Sequence, residues 1–211
     1  MNKLAPIALI LLLSFGGALW YLANNSLNEH IRGRIIQVGE YYTELKVSVD
    51  AVDVNLSQGT GQISGLRLYD AKQSDKSIIT IKNVVFTFEP AHIQKTKIII
   101  DDITFTDIYI HMTSKNEADT NSQTNTKPLL SLINSKIALI RDARKQKAEP
   151  YIQAKQINLN NTTIATGHAE KKELFHSLAA VGASGGLPSS LFGIEILRKI
   201  LEYTNNAKRV R

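Results

Sequence analysis

The chain of 211 residues contains no cysteine, and only 7% of its residues are aromatic. The absence of cysteine excludes disulfide scaffolds, thiolate zinc sites, thiol catalysis and a lipidated N-terminal cysteine. No G-x-S-x-G motif, P-loop or dinucleotide fingerprint occurs, and the glycine run from Gly182 to Gly186 lacks the spacing of such a fingerprint. The sequence therefore predicts a protein that is not an enzyme and has no cofactor. A hydrolase, the weakest alternative, would need a polar pocket with perturbed titratable groups.

A metal site is not predicted either. No two histidines are four residues apart and no H-E-x-x-H motif occurs, so each is interpreted as a surface or boundary residue: His30, His92, His111, His168 and His176. Three aspartates fall in one predicted strand. Alternation places Asp102 and Asp107 on its solvent face and gives Asp101 inward parity, and charged strand faces of this kind oppose aggregation.

Residues 4–23, LAPIALILLLSFGGALWYLA, form an uncharged run of 20 residues that matches the roughly 30 Å core of a bilayer. We therefore predict a transmembrane anchor over residues 1–25. A cleaved signal peptide is the alternative, but the bulky Tyr21 lies two residues before Ala23, where a small residue is needed. Trp20 and Tyr21 instead match interfacial aromatics. The basic residues flanking the run do not settle its orientation.

A domain of helix and sheet is predicted over residues 26–112. Ser26 and Glu29 have the spacing of a capping box, and one face of the following helix, expected to pack on a sheet, carries Leu27, Ile31, Ile35, Val38 and Tyr42. From Lys46 to Met112 the apolar residues alternate as in strands. Because the connections between these strands are too short for crossover helices, we expect an antiparallel sheet.

The second part, residues 128–211, is predicted to complete this sheet. Residues 113–127 are almost entirely polar, which is typical of a flexible linker. A helix is expected over 128–147, a strand over 151–166, and an amphipathic C-terminal helix after the break at residues 182–188. The apolar spacing 2, 3, 2 of Ile103, Phe105, Ile108 and Ile110 is repeated in Ile157, Leu159, Thr162 and Ile164. This spacing indicates a one-residue phase slip, such as a bulge, in both strands.

The net charge of +6 comes from the second part, since residues 128–211 carry 13 basic and 6 acidic side chains. A basic cluster there comprises Arg141, Arg144, Lys145 and Lys147. Nucleic acid is not predicted as a partner, because interleaved aromatics and a reading helix are missing. Anionic phospholipid head groups fit the cluster better, at about 1 kcal/mol per basic residue near the membrane. A solvated helix face is the other interpretation.

The order of these elements resembles the N-terminal module of AsmA-type proteins of Gram-negative envelopes. The resemblance is carried by the anchor, the capped helix and three strand segments, KVSVDAVDVNLSQGTGQISGLRLYDA, KSIITIKNVVFTFEP and KTKIIIDDITFTDIYIHM. It extends to small stand-alone AsmA-like proteins through residues 128–141, 155–164 and 185–199. It covers almost the whole chain, by pattern and element order rather than by chemically demanding motifs. The resemblance implies a bacterial inner-membrane anchor, a periplasmic body and a curved, taco-like antiparallel sheet. Large relatives resemble bridge-like lipid transfer proteins.

Two functions follow as hypotheses. In the first, the protein acts in envelope lipid homeostasis, and membrane phospholipid contacts an apolar concave face of the sheet. The same residues would also fit a filled core. The residues predicted to form this face are Val52, Val54, Leu66, Leu68, Ile79, Ile81, Val84, Phe86, Phe88, Ile103, Phe105, Ile108 and Ile110. About six strands spaced by ~4.8 Å give a sheet of roughly 25 to 30 Å, enough for the acyl chains of one lipid but not to bridge two membranes. In the second, the sheet edge or the C-terminal helix docks a protein partner or a second copy.

Overall fold

The computed structural model describes residues 27–70, 76–93, 96–112, 126–143, 150–166, 169–182 and 185–207. In these residues the chain is an α+β protein with three helices and an open, mixed sheet of eight strands. The helices are α1 (27–43), α2 (Thr126–Ala143) and α3 (Ser189–Ala207). The strands are β1 (Val47–Ser48), β2 (Ala51–Asn55), β3 (Thr60–Tyr69), β4 (Ser77–Thr87), β5 (Lys97–Met112), β6 (Tyr151–Thr166), β7 (Ala169–Leu178) and β8 (Leu187–Pro188).

The sheet is not antiparallel throughout. Its strand order is β1-β3-β4-β5-β6-β7, with β2 also paired to β3 and β8 to β6. Neighbours are antiparallel except β5 and β6, which run parallel over their whole length. The prediction of an antiparallel sheet is therefore wrong at this pair. Parallel strands need a long crossover, and α2 lies between β5 and β6 in the chain and provides it.

The core lies on one face of the sheet. A first cluster joins the sheet residues Ile79, Ile110 and Ile157 to α2 and α3, through buried residues such as Ile133 and Ile200. A second, smaller cluster consists of Val49, Val52, Val54 and Phe88, against which Ile31, Ile35 and Ile36 of α1 pack. The predicted packing of α1 on the sheet is confirmed. Burying aliphatic side chains on one face is what holds a two-layer α+β domain together.

A crease crosses the sheet at the predicted phase slip. The two repeats of the 2, 3, 2 spacing lie side by side, with Ile103 opposite Ile157, Phe105 opposite Leu159, Ile108 opposite Thr162 and Ile110 opposite Ile164. Between the second and third pair, Asp107 (φ 56°) and Asn161 (φ 53°) both adopt the left-handed conformation, and Asn161 Nδ2 donates to Asp107 Oδ1 at 2.5 Å. The one-residue slip is therefore confirmed, and Thr162 is buried in the core.

The same crease continues into strands for which it was not predicted. In β3, Gly65 (φ 63°) stands at the same level, between the pairs Ser64 with Asn83 and Leu66 with Ile81. A Cβ on Gly65 would lie 2.0 Å from Asp50 Oδ2, in the gap between β1 and β2. The apolar spacing 2, 3, 2 is indeed present there too, as Val47, Val49, Val52 and Val54.

The outer edge of β1 and β2 is covered by side chains of α1. Arg32 Nε donates to the Val49 carbonyl oxygen at 2.7 Å. Asn28 Oδ1 accepts from the Val54 amide at 3.1 Å, and Glu40 Oε1 accepts from the Val47 amide at 3.3 Å. These main-chain groups belong to a strand edge, where they would otherwise be open to pairing with another chain.

Element boundaries follow the sequence pattern where they can be compared. The strand predicted over 151–166 is β6, and the predicted C-terminal helix is α3. Helix α2 begins at Thr126, two residues before the predicted start at Pro128, with Thr126 Oγ1 donating to Asn205 Oδ1 at 2.9 Å. The predicted anchor, Ser26 of the capping box, residues 113–125 of the predicted linker and residues 144–147 lie outside the described residues. Within the described ranges, no helix is both long and apolar enough to cross a bilayer.

Candidate functional site

The predicted apolar face of the sheet lies under the helices. Eleven of its thirteen candidate residues are buried: Val52, Val54, Leu68, Ile79, Ile81, Val84, Phe88, Ile103, Phe105, Ile108 and Ile110. The other two, Leu66 and Phe86, are partly buried. Where α2 and α3 pack on the sheet, its inner face is a filled core.

An apolar seam remains where the two core clusters meet. It consists of Ile63, Leu66 and Phe86, which are each partly buried and pack against both clusters. At one end α1 and α2 are joined across it, because Lys136 Nζ donates to the Tyr41 carbonyl oxygen at 2.5 Å and pairs with Glu44 Oε1 at 2.8 Å. Among the predicted face residues, the seam contains the two that are not fully buried.

The edge formed by β7 differs from the edge covered by α1. Along one side β7 pairs with β6 from Leu178 to Ala169, and within the described ranges no strand pairs with its other side. Leu174 is 83% exposed and Phe175 is 58% exposed. Two neighbouring large apolar side chains on an unpaired strand edge are typical of a protein-binding or aggregation site.

Helix α3 holds β7 from its inner side. The Tyr203 ring stacks on His176, with ring centroids 4.1 Å apart, and Tyr203 Oη donates to Glu173 Oε2. Glu173 Oε1 also lies 3.5 Å from His176 Nδ1. These contacts fix the inner side of β7 while its outer edge stays accessible. Sequence reasoning missed β7, because AEKKELFHSL has neither the alternation nor the β-branched residues of a typical strand.

The C-terminal helix does not offer a free apolar face. Of its predicted apolar residues, Leu191, Ile194, Ile200 and Leu201 are buried in the first cluster, and Leu197 is partly buried against it. Even the polar side carries packed charges: Arg198 pairs with Glu195 at 2.6 Å, and this carboxylate raises the pKa of Arg198 above its ordinary value. Docking of a partner on α3 would therefore require the core to open.

The aspartate candidates of β5 can be placed in the described structure. The alternation of inward and outward side chains changes phase again between Ile100 and Ile103, so that Ile100 packs against the core while Asp101 pairs with the exposed Lys155, and the predicted inward position of Asp101 is wrong. Lys155 Nζ donates to Asp101 Oδ1 at 2.5 Å and lowers the pKa of this carboxyl group. In the part of the chain that is described, no three histidine or acidic residues are grouped to hold a metal ion. The side chains of the predicted head-group cluster, Arg141, Arg144, Lys145 and Lys147, lie outside the described residues.

No protein-family model matches the chain, and no curated protein matches it by sequence. The resemblance to AsmA-type proteins therefore stays a prediction.

Proposed function

We propose that the protein is a non-enzymatic, membrane-anchored assembly protein whose β7 edge binds an extended segment of a partner protein. The observation that carries this proposal is the unpaired edge with the exposed side chains of Leu174 and Phe175. When a strand is added to a sheet edge, main-chain hydrogen bonds give affinity and alternate side chains give specificity. The AsmA-like kinship, the inner-membrane anchor and the periplasmic location belong to this proposal and rest on the sequence pattern.

Pairing of two copies of the chain about an axis within residues 170–173 is disfavoured at this edge. In a two-fold antiparallel pairing, the residue on the axis stands opposite itself. Glu170, Lys171, Lys172 and Glu173 follow one another in β7, so an axis through any of them brings like charges together. Like charges directly opposite one another destabilise a strand pair. The partner segment is instead expected to place an apolar side chain beside Phe175 and a carboxylate beside Lys172.

Photocrosslinking in the membrane tests this function. A photoreactive amino acid at position 175 should give a protein adduct of one discrete mass, and Lys172→Glu should reduce that adduct severalfold. The matched control is position 139, because Leu139 is 69% exposed but lies on α2. Equal adducts from positions 139 and 175, an adduct of two identical chains, or no effect of Lys172→Glu would overturn the proposal.

A second candidate function, lipid handling, is favoured by the seam of Ile63, Leu66 and Phe86. We infer that an acyl chain would enter there, because the remainder of the predicted face is filled by helices. A photoreactive residue at position 86 should then capture phospholipid, whereas the same group at position 110 should not, since Ile110 is fully buried. Lipid adducts that are absent from position 86, or equal at both positions, would contradict lipid handling by this seam.

A further inference from the structure

One end of the sheet projects beyond the rest. At this end of the sheet, the last paired residues of β3 and β4 are Thr60 and Thr87, which are level with Asp102 of β5. Strand β5 extends five residues further, to Lys97, which lies opposite Tyr151 of β6. At about 3.3 Å per residue this is a projection of roughly 16 Å. Ile93 bridges to Ile98 beside it. We call this projection, formed by Ile93, Lys97, Ile98 and Tyr151, the tip.

The tip carries exposed apolar side chains. Ile93 is 40% and Tyr151 48% exposed, and Leu56, in the turn that ends the neighbouring β2–β3 hairpin, is 50% exposed. At the opposite end of the sheet, Met112 is buried. Nearer that opposite end, Tyr109 of β5 is 38% exposed, and Tyr41 of α1 is 59% exposed with Lys136 Nζ 5.0 Å from its ring centroid. Among the described residues, Ile93 and Tyr151 are the exposed large apolar side chains of the tip.

Polar contacts within the protein lie beside the tip. Lys155 pairs with Asp101 at 2.5 Å, and His92 lies 3.3 Å from Glu89. Because the tip also contains Lys97, a partner that fits this surface needs an apolar layer together with polar or anionic groups. The interfacial region of a bilayer has this character, and tyrosine is enriched there.

The start of α1 lies toward the end of the sheet that carries the tip. Along α1, Asn28 contacts Val54 and Arg32 contacts Val49, so the start of the helix points away from β1. Val54 is level with Ile103 through β3 and β4. The tip therefore lies six residues, or about 20 Å, beyond the start of α1.

The chain before α1 has the length needed to bring a bilayer to the tip. From Ala23, the last residue of the apolar run, to Asn28 the chain spans about 8 Å if helical and about 17 Å if extended. A head-group region adds roughly 5 to 8 Å on each side of the hydrocarbon core. Because about 20 Å exceeds both spans, a body standing upright on the membrane would carry the tip through the head-group region into the edge of the hydrocarbon core, and a tilted body would leave the tip in the interfacial region.

We propose that the tip is a second membrane contact, in which Ile93 and Tyr151 enter the interfacial region of the bilayer that residues 4–23 are predicted to cross. This inference rests on the anchor that is part of the proposed function, but not on the β7 edge. Contact at both the anchor and the tip would hold the body of the protein in a fixed orientation on the membrane, with the crease and the β7 edge away from the lipid surface.

Spin labels test the contact in the full chain, which has no cysteine of its own to be labelled. Single cysteines at positions 93 and 151, and controls at positions 139 and 174, are labelled in vesicles of phosphatidylethanolamine and phosphatidylglycerol. The ratio of accessibility to oxygen over accessibility to a water-soluble nickel chelate should be at least threefold higher at positions 93 and 151 than at positions 139 and 174.

A further label at position 11 of the predicted anchor separates the ways of failing. If position 11 is lipid-embedded while positions 93 and 151 are as accessible to nickel as the controls, the tip does not touch the bilayer and the inference is overturned. If position 11 is itself water-accessible, the anchor fails and the inference falls with it. Neither result depends on crosslinking from position 175, so partner binding at β7 succeeds or fails separately.

Discussion

The two edges of the sheet are completed in opposite ways. At the β1–β2 edge, three main-chain groups are bonded by Asn28, Arg32 and Glu40 of α1. At the β7 edge, Tyr203 of α3 contacts the inner side chains His176 and Glu173, and within the described ranges no strand pairs with the outer side of β7. An unprotected edge is a hazard for a soluble domain. Its retention on only one side of the sheet is consistent with use as a binding site.

Chain order explains which edge is covered. Helix α1 directly precedes β1 and β2, so its polar side chains reach their edge across short loops. Strand β7, in contrast, is followed by residues 179–188, which return the chain to β6, where Tyr151 pairs with Pro188. The next helix, α3, then starts over the face of the sheet rather than beside β7. The β1–β2 edge is thus covered by the helix that directly precedes it in the chain. The β7 edge stays unpaired because the helix that follows it, α3, packs on the face of the sheet.

The largest predicted effect comes from breaking the crease beside the covered edge. Gly65→Ala puts a Cβ 2.0 Å from Asp50 Oδ2 at a residue with φ +63°. Left-handed backbone costs a residue with a side chain about 1 to 2 kcal/mol, and the clash adds to this, so we expect a loss of roughly 2 to 4 kcal/mol. The measurement is urea unfolding of the full chain in detergent, followed by circular dichroism.

Gly33→Ala is the matched control for this substitution. A Cβ at Gly33 meets nothing within 4 Å in the described structure. Because alanine favours helix over glycine by about 0.5 to 1 kcal/mol, this variant should be slightly more stable than the parent chain. A Gly65→Ala variant as stable as the Gly33→Ala variant would show that the crease does not constrain the covered edge.

Uncovering the β1–β2 edge should have the next largest effect. Arg32→Ala leaves the carbonyl of the buried Val49 without its 2.7 Å bond, and an unsatisfied buried acceptor costs about 1 to 3 kcal/mol. Arg34→Ala, on the same helix, removes only an exposed bond to Gln37 and should stay within about 0.5 kcal/mol of the parent. Equal losses for the two variants in urea unfolding would mean that the bond to Val49 does not protect the edge.

The sequence predicts the interior of this sheet better than its edges. Alternating aliphatic residues mark β3 to β6 because each of these strands has a neighbour on both sides and buries one face. The 2, 3, 2 spacing also predicts the one-residue phase slip of the crease, which Asp107 and Asn161 accommodate with left-handed backbone. Strand β7 has no such pattern: its inner face carries Glu173 and His176, and pairing with β6 alone makes it a strand.

Two other features escaped prediction for different physical reasons. The parallel pairing of β5 with β6 arises because the chain, after leaving the end of β5, returns to the other end of the sheet before β6 begins. In the sequence, only the length of the segment from residue 113 to residue 150 indicates such a crossover. Whether the apolar face is a groove or a core depends on what covers it. Alternation gives the same pattern in both cases, so the burial of Ile108 and Ile110 under helices had to come from the tertiary structure.

The smallest predicted effect is the pH dependence of the ion pair in the gap between β1 and β2. Arg67 binds both carboxylate oxygens of Asp50, at 2.7 and 2.8 Å, and lowers the pKa of Asp50. A carboxyl group with a lowered pKa in the folded state stabilises the fold above its ordinary pKa, and this contribution disappears as the pH falls through the folded-state value. Asp50→Asn should therefore lower the unfolding midpoint slightly near pH 7 and not at all in strong acid.

Thermal unfolding of the parent chain and of the Asp50→Asn variant, from about pH 7 down to about pH 2, measures this convergence. Asp53→Asn serves as the control, because it removes a carboxylate from β2 and leaves the Arg67 pair intact. If the curves of the parent and the Asp50→Asn variant stay equally separated over the whole pH range, the pair does not act through ionisation. In that case the covered edge would be held by the main-chain bonds of α1 and the crease alone, which would sharpen the contrast with β7.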